Sequence, residues 1–493
     1  MSQHPPVQPS FSERLRTIIA KYRLDIQRDQ NRLKALVKDY LPNHSREVRI
    51  LLLAFDEGVP AELASLTAHQ SWGLIRGRLI QKLQESLAMH PSAATWAVDT
   101  WAAALGVVEA PPYVIPLPRS APLASAAEFR VAPIGAADFR TLSEAVQHVP
   151  AGSRLLLASG TYVGGLVLDK NLEIVGESGA EVRVQATGDF CLQVRADYVV
   201  LKNLKIWLIN EKGGDQAAAA LVVRGIKYLK NILTKLLHGD QAAAVLVVRG
   251  RLDMEQCTVD TSAQHCGHGV VLEGSGTFAS LSRCAIRNTR IGMWFKGLVT
   301  GKIQECAIQN TAKTAVIIEN KAQPNFERCE ISNSRKAGVF VHSGGSGRFE
   351  NCQIHNTAYP GVAIKDQGTA PVFVGCTIRR SQQYGVWAHS GGGGRFENCQ
   401  IHNTAHSGVG IQDQGTAPVF VGCTISDSQQ NGVFVHSGGG GRFENCQIHD
   451  TAYPGVGIKD QGTAPVFVGC TIRRSQQYGV WVWKGASARF LNC

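Results

Sequence analysis

Cysteine is the first residue type in this chain whose spacing points to chemistry. There are 13, and eleven stand at 257, 284, 306, 329, 352, 376, 399, 423, 446, 470 and 493, with each of the last eight steps 23 or 24 residues long. Only Cys191 and Cys266 fall off this ladder. Thiols can form disulfides, bind metals or pack. A disulfide framework belongs to small secreted chains, whereas a fixed period of 20–50 residues is the signature of a solenoid. A thiol is also a small hydrophobe that stacks well in a narrow core. The ladder therefore predicts buried, reduced cysteines. It predicts a reducing compartment as well, and hence a cytoplasmic location, because stacked thiols in an oxidising space would mispair.

Cys257, His265, Cys266 and His268 could be drawn as a metal set, but their spacing matches no zinc pattern and Cys257 belongs to the ladder. No metal site and no cofactor is expected. Other groups recur. Asp366, Asp413 and Asp460 are 47 residues apart, as are His342, His389 and His436, while Tyr384 and Trp387 return as Tyr478 and Trp481. A catalytic centre needs a unique constellation. Equivalent groups in register suit an extended or repetitive partner instead. Asp366, Asp413, Asp460, Tyr384, Trp387, Tyr478 and Trp481 are therefore the candidate ligand-binding residues, and no catalytic residue is assigned.

The elements that position them follow from the repeat. RFENCQIH begins at Arg348, Arg395 and Arg442, and alternates with QGTAPVFVGCTI from Gln367, Gln414 and Gln461. Two coils of 24 and 23 residues make a 47-residue unit. Within a coil the apolar period is two: Val339 and Val341 flank Phe340, and Cys352 and Ile354 flank Gln353. That is a strand pattern in runs too short for helices, separated by Gly, Asn and Ser. About three short strands per coil, stacked in parallel at ~4.8 Å, give a right-handed parallel β-helix, a mainly β fold. Cys352 would lie over Cys329 and under Cys376. Asn351, Asn398 and Asn445 are read as structural corner residues, each stacking on its copy in the next coil.

Residues 1–106 read differently, as a small all-α bundle. Ser10 and Glu13 suit a capping box, and apolar residues follow at helical spacing through Leu15, Ile18 and Ile19, then Leu33, Leu36 and Val37, then Ile50 to Phe55, Leu74 to Leu87 and Ala93 to Leu105. Gly58-Val-Pro60 and His90-Pro91 are expected breaks. Residues 107–135 are Pro/Ala-rich and read as a linker, leaving 136–493 for the β-helix. The net charge is +11, spread without basic runs, so nucleic acid is not an expected partner. No apolar stretch approaches the ~20 residues of a membrane span, and no secretory h-region opens the chain.

The segment AADFRTLSEAVQHVPAGSRLLLASGTYVGGLVLDKNLEIVGESG from Ala136 resembles the start of pectin-lyase-like β-helices, in which a short helix caps the barrel and a GTY turn opens the first coil. The later coils resemble the carbohydrate-binding and sugar-hydrolase repeats found in F-box-linked substrate receptors and in periplasmic copper-enzyme maturation proteins. The resemblance covers about 136–493 and implies the fold, while activity within such a fold is decided by the site. Gly267-His268-Gly269 resembles a polygalacturonase motif, yet the Asn-Thr-Asp, Asp-Asp and Arg-Ile-Lys companions are missing, as are a lyase's clustered acids and the methylesterase motifs. GDQAAAALVVRG from Gly214 returns as GDQAAAVLVVRG from Gly239, so coils are expected to continue through residues 226–238 as irregular strands; the alternative is an amphipathic helix inserted at a coil corner, since Ile226, Leu229, Ile232, Leu233 and Leu236 fall at helical spacing. The leading expectation is a non-enzymatic interaction protein. Its rod recognises a protein, a carbohydrate or another extended ligand, and residues 1–106 dock a protein partner. The alternative is a polysaccharide-active enzyme with its site between about 180 and 340. The last coil is expected to be covered by a continuation of the chain, by a second copy stacked end to end or by another protein, with Arg473, Arg474, Trp481 and Trp483 near that end.

Overall fold

The computed structural model describes residues 11–22, 29–40, 45–64, 72–87, 89, 91–107, 127–209, 242–261 and 267–493. The chain divides into two compact units, between Pro122 and Leu123. The first contains helices α1 (Phe11–Tyr22), α2 (Gln30–Tyr40), α3 (Ser45–Asp56), α4 (Val59–Ala64), α5 (Trp72–Leu87) and α6 (Pro91–Ala104). Residues one helical turn apart, such as Leu15 and Ile18, Leu33 and Val37, or Leu79 and Leu83, meet in its core. Trp101 is fully buried there, its ring 5.6 Å from that of Phe55 and its indole N–H donating to the Leu51 carbonyl at 3.0 Å. The expected break falls at Glu57–Gly58, between α3 and α4, and Val59-Pro60 then opens α4. Proline is tolerated in a first helical turn, where its missing N–H has no intrahelical partner to lose. Ser10, of the capping box, and residues 226–238 lie outside the described residues.

In the second unit, the short helix α7 (Leu142–His148) is capped by Thr141, whose hydroxyl accepts from the Glu144 N–H. Around and after it run three parallel sheets of 15, 13 and 13 strands among the described residues. One coil reads Arg348–Glu350 in the first sheet, Gln353–Thr357 in the second and Val362–Lys365 in the third, and the next coil begins at Val372. We name these sheets A, B and C. Each residue pairs with its counterpart one coil away: Phe349 with Phe373, Ile354 with Ile378, Val362 with Val386. The first strand of sheet A, Glu128–Val131, pairs with Arg154–Leu157 and so lies inside the stretch read as a linker. The buried Tyr162 hydroxyl holds it, 2.9 Å from the Val131 carbonyl.

Inward residues form columns. Cys257 to Cys470 on the ladder are all buried, and Cys493 is exposed. Beside them runs a column not anticipated from the sequence: Phe326, Phe349, Phe373, Phe396, Phe420, Phe443, Phe467 and Phe490 stack with centroids 4.6 to 4.9 Å apart and planes within 9°. The strand spacing imposes this near-parallel stacking on identical neighbours. The corner before each cysteine is left-handed, with φ near +52° at Asn351, Asn398 and Asn445. These asparagines do not stack on their copies in the next coil, because that coil has Gly375, Gly422 or Gly469 there. A Cβ on Gly375 would come within 2.6 Å of the Asn351 Oδ1. The asparagine stack runs along another corner, where Asn356 donates to Asn333 and Asn333 to Asn310, each at 3.2 Å.

The thiols are spent on the fold. Cys352 and Cys399 donate to the carbonyls of Glu350 and Glu397 at 3.4 Å, and burial pushes the Cys191 thiol up to about 12. A thiol reagent should label Cys493 in the native protein and reach the buried ladder only after denaturant is added. Fast native labelling of most thiols would contradict the ladder's packing.

Candidate functional site

The recurring aspartates sit at the corner between sheets C and A. Asp366, Asp413 and Asp460 have φ near +75°, a conformation that aspartate tolerates better than most residues. Each carboxylate accepts a backbone N–H from the preceding coil: Ser343 at 3.2 Å, Ser390 at 3.1 Å and Ser437 at 3.4 Å. Thr369, Thr416 and Thr463 accept from Gly344, Gly391 and Gly438 beside them. These acids fasten one coil to the next.

The aromatic candidates face outward on and beside sheet C. Trp387 stacks on His389 at 4.1 Å, and Tyr384 lies 6.1 Å from Trp387. The Tyr384 ring covers Gly410, where a Cβ would come within 2.7 Å of it, and burial pushes its phenol up. Tyr478, Trp481 and Trp483 repeat the arrangement, with Trp481 stacked on Trp483 at 4.2 Å. The register joins these into one outward column: Phe340, Ala363, Trp387, Gly410, Phe434, Gly457, Trp481. A large ring thus stands on every second coil, ~9.6 Å from the next, with a small residue between. Phe340 and Phe434, which sequence reasoning did not single out, complete the column and lie tilted against His342 and His436, at 4.5 and 4.8 Å.

Beside this column, along the corner between sheets B and C, runs an open groove of about 680 Å³ spanning five coils. Asn333, Asn356, Arg380, Asn403 and Asp427 line it in order, with Thr357, Ser381 and Thr404 also in its wall. The outward residues of sheet B next to it are His355, Arg379 and His402, in register. Burial, and then the nearby Arg379, holds the His355 imidazole below its ordinary range; His402 is lowered by burial as well.

The repeats themselves mark this side of the rod. In the three 47-residue copies starting at residues 346, 393 and 440, the Arg-Phe-Glu and Val-Phe-Val strands of sheet A and the corner leading to sheet B are identical. Substitutions fall at the B–C corner (Asn356, Asn403, Asp450; Arg380, Asp427, Arg474; Tyr359, His406, Tyr453), at one outward position of sheet B beside it (Arg379, Ser426, Arg473) and on sheet C (Trp387, Phe434, Trp481). A few more, such as Ser390, Ser437 and Lys484, lie at the C–A corner.

The other candidates are not brought together. His265 and Cys266 lie outside the described residues, Cys257 is a buried rung, and His268 is buried with its ring edge-on to Trp294 at 5.1 Å. Among the described residues no three His, Cys, Asp or Glu side chains converge as metal ligands would. Between residues 180 and 340, Asp253 is paired with Arg251, Asp260 with Arg287, and Glu319 with His342 at 3.1 Å. The His342 imidazole holds the Glu319 carboxyl below the usual range.

The sequence profile described as right handed beta helix region matches residues 243–393 and 360–493, together just over half of the chain. The chain belongs to the right-handed β-helix family. Solved structures similar to this β-helix include the A-module of Azotobacter vinelandii mannuronan C-5 epimerase AlgE4, at 12% identity and a TM-score of 0.44 over 70% of this chain and 92% of that one. The catalytic domain of a GH87 α-1,3-glucanase matches at 14% identity and a TM-score of 0.47, over 72% of this chain and 70% of that one. The Siphovirus 9NA tailspike receptor binding domain matches at 10% identity and 0.40, over 72% and 75%. These likenesses are of fold. No curated protein sequence matches the chain.

Proposed function

We propose that this β-helix is a binding protein whose rod holds an extended ligand along the B–C corner groove and the outer face of sheet C. The helical unit is its docking module for a protein partner, and the reduced thiols suit a reducing compartment such as the cytoplasm. One observation carries the reading of the rod. Near-identical repeats hold sheet A and its following corner constant, and vary where the groove and the aromatic column lie. Constraints of folding bear on every coil alike, so they do not by themselves explain variation that falls mostly at the B–C corner and on sheet C. The chemistry there suits a polymer of sugars: flat rings for apolar sugar faces, amides and hydroxyls for hydrogen bonds, and a two-coil period close to the length of a disaccharide.

The test is affinity electrophoresis in gels containing one soluble polysaccharide each, comparing the native chain with Trp387→Ala and Phe434→Ala. Each ring loss is expected to weaken binding roughly tenfold with little change in the unfolding midpoint. Unchanged binding in both variants would contradict the reading. Release of reducing ends from a bound polymer would favour the runner-up, a polysaccharide-active enzyme.

A further inference from the structure

The corner between sheets B and C carries two Arg-Arg pairs in identical local sequence, TIRRSQQYGVW from Thr377 and from Thr471. Their surroundings differ. Arg474 is held by Asp450, with Nε to Oδ1 and Nη2 to Oδ2 both at 2.6 Å. The residue equivalent to Asp450 beside the first pair is Asn356, and the following coil offers Asn403. Arg380 consequently has no ion-pair or hydrogen-bond partner among the described residues, and Arg379 makes only a 3.4 Å contact to the Gln353 amide oxygen. Arg380 lies at the middle coil of the groove, between two amides, and Arg379 is its neighbour on the outer face of sheet B, beside the groove. The Ser381 hydroxyl, buried in the groove wall, also has no hydrogen-bond partner, a feature it shares with the equivalent Ser475.

We infer that Arg379 and Arg380 form an anion-binding subsite at the centre of the groove, for a carboxylate or sulfate substituent on the extended ligand. This rests on the groove being the ligand face. A guanidinium presents a planar fork of donors to either anion. The flanking amides add donors without neutralising it, and carboxylates appear only toward the ends, Glu330 at 3.3 Å from His355 and Asp427 two coils beyond Arg380. His355 faces Glu330, Arg379 and Arg380, and His402 faces Asp427, Arg379 and Arg380. Burial first, and the arginines beside it, disfavour protonation of both imidazoles, and a bound anion offsets the arginines' part. Binding of an acidic ligand therefore strengthens as pH falls below the ordinary histidine range.

The experiment uses the full chain with three probes sharing one backbone: dextran, carboxymethyl-dextran and dextran sulfate. The acidic dextrans are expected to bind more tightly than dextran, and the tighter of the two identifies the substituent. The double variant Arg379→Gln/Arg380→Gln should lose roughly tenfold on the acidic probes and clearly less than that on dextran, so that the preference for acidic over neutral dextran falls. Asp450→Asn, which frees Arg474, should raise affinity for the same probes, and Arg474→Gln in the native background should change little. Equal binding of acidic and neutral dextrans, or an unaffected double variant, overturns the subsite. Tighter binding of an oligo-dT strand than of dextran sulfate also overturns it. Failure of the groove reading looks different: Trp387→Ala would then leave binding of all three probes unchanged.

Discussion

Phe396→Ala is expected to destabilise the rod by about 3–5 kcal/mol, read as a fall in the denaturant midpoint. Phe396 is fully buried between Phe373 at 4.9 Å and Phe420 at 4.7 Å. Removing it leaves a gap in a column whose neighbours are fixed by strand pairing, so collapse into the cavity is restricted. Phe340 is the same residue type on the outside of sheet C, half-buried and tilted against His342 at 4.5 Å. Phe340→Ala should cost about 1 kcal/mol or less. Binding should respond in the opposite order, with Phe396→Ala binding normally while folded and Phe340→Ala losing affinity if the ligand reaches that coil. Equal stability losses in the two variants would contradict the assignment of inner and outer faces.

Gly385→Ala is expected to cost about 3 kcal/mol, while Gly393→Ala should be nearly silent. At Gly385 a Cβ would meet Ile401 Cγ2 at 2.4 Å and the Gly408 carbonyl oxygen at 2.7 Å. The carbonyl belongs to the backbone of the next coil and donates its lone pair to the ladder, accepting from the Val386 N–H at 3.0 Å. It cannot move without breaking pairing. At Gly393 the nearest atom, the Thr369 carbonyl oxygen, is 3.5 Å away, an ordinary contact. Thermal unfolding of the two variants side by side measures this directly. Similar midpoints would show that the coils are not packed as tightly as this register requires.

Much of the fold was legible because its constraints repeat. The cysteine spacing sets the coil length, and the alternation of Val339, Phe340 and Val341 sets which side faces in. Other features depend on what a neighbouring coil supplies. Asn351 looks like a stacking asparagine until the register brings Gly375 beside it. Glu128–Val131 looks like linker because its Pro/Ala-rich surroundings carry no strand pattern, and its pairing is with Arg154–Leu157. The phenylalanine column stood three residues before the cysteines throughout, but a single Phe in so short a strand does not reveal its partners. At the site, the recurrence of Tyr384 and Trp387 pointed to sheet C. The aspartates recur for a different reason, since their carboxylates hold corners together. The distinction between Arg380 and Arg474 was invisible in their shared local sequence, because it rests on Asn356 and Asp450 one coil away.

The central claim is that ligand lies along the B–C corner and sheet C. Hydroxyl-radical footprinting of the full chain, with and without a saturating polysaccharide that it binds, tests this most directly. Protection is predicted at Trp387, Phe434 and Tyr384, on alternate coils, and at His355 and His402, with the exposed strand residues of sheet A unchanged. Protection confined to sheet A, or to the coils before residue 300, would contradict it.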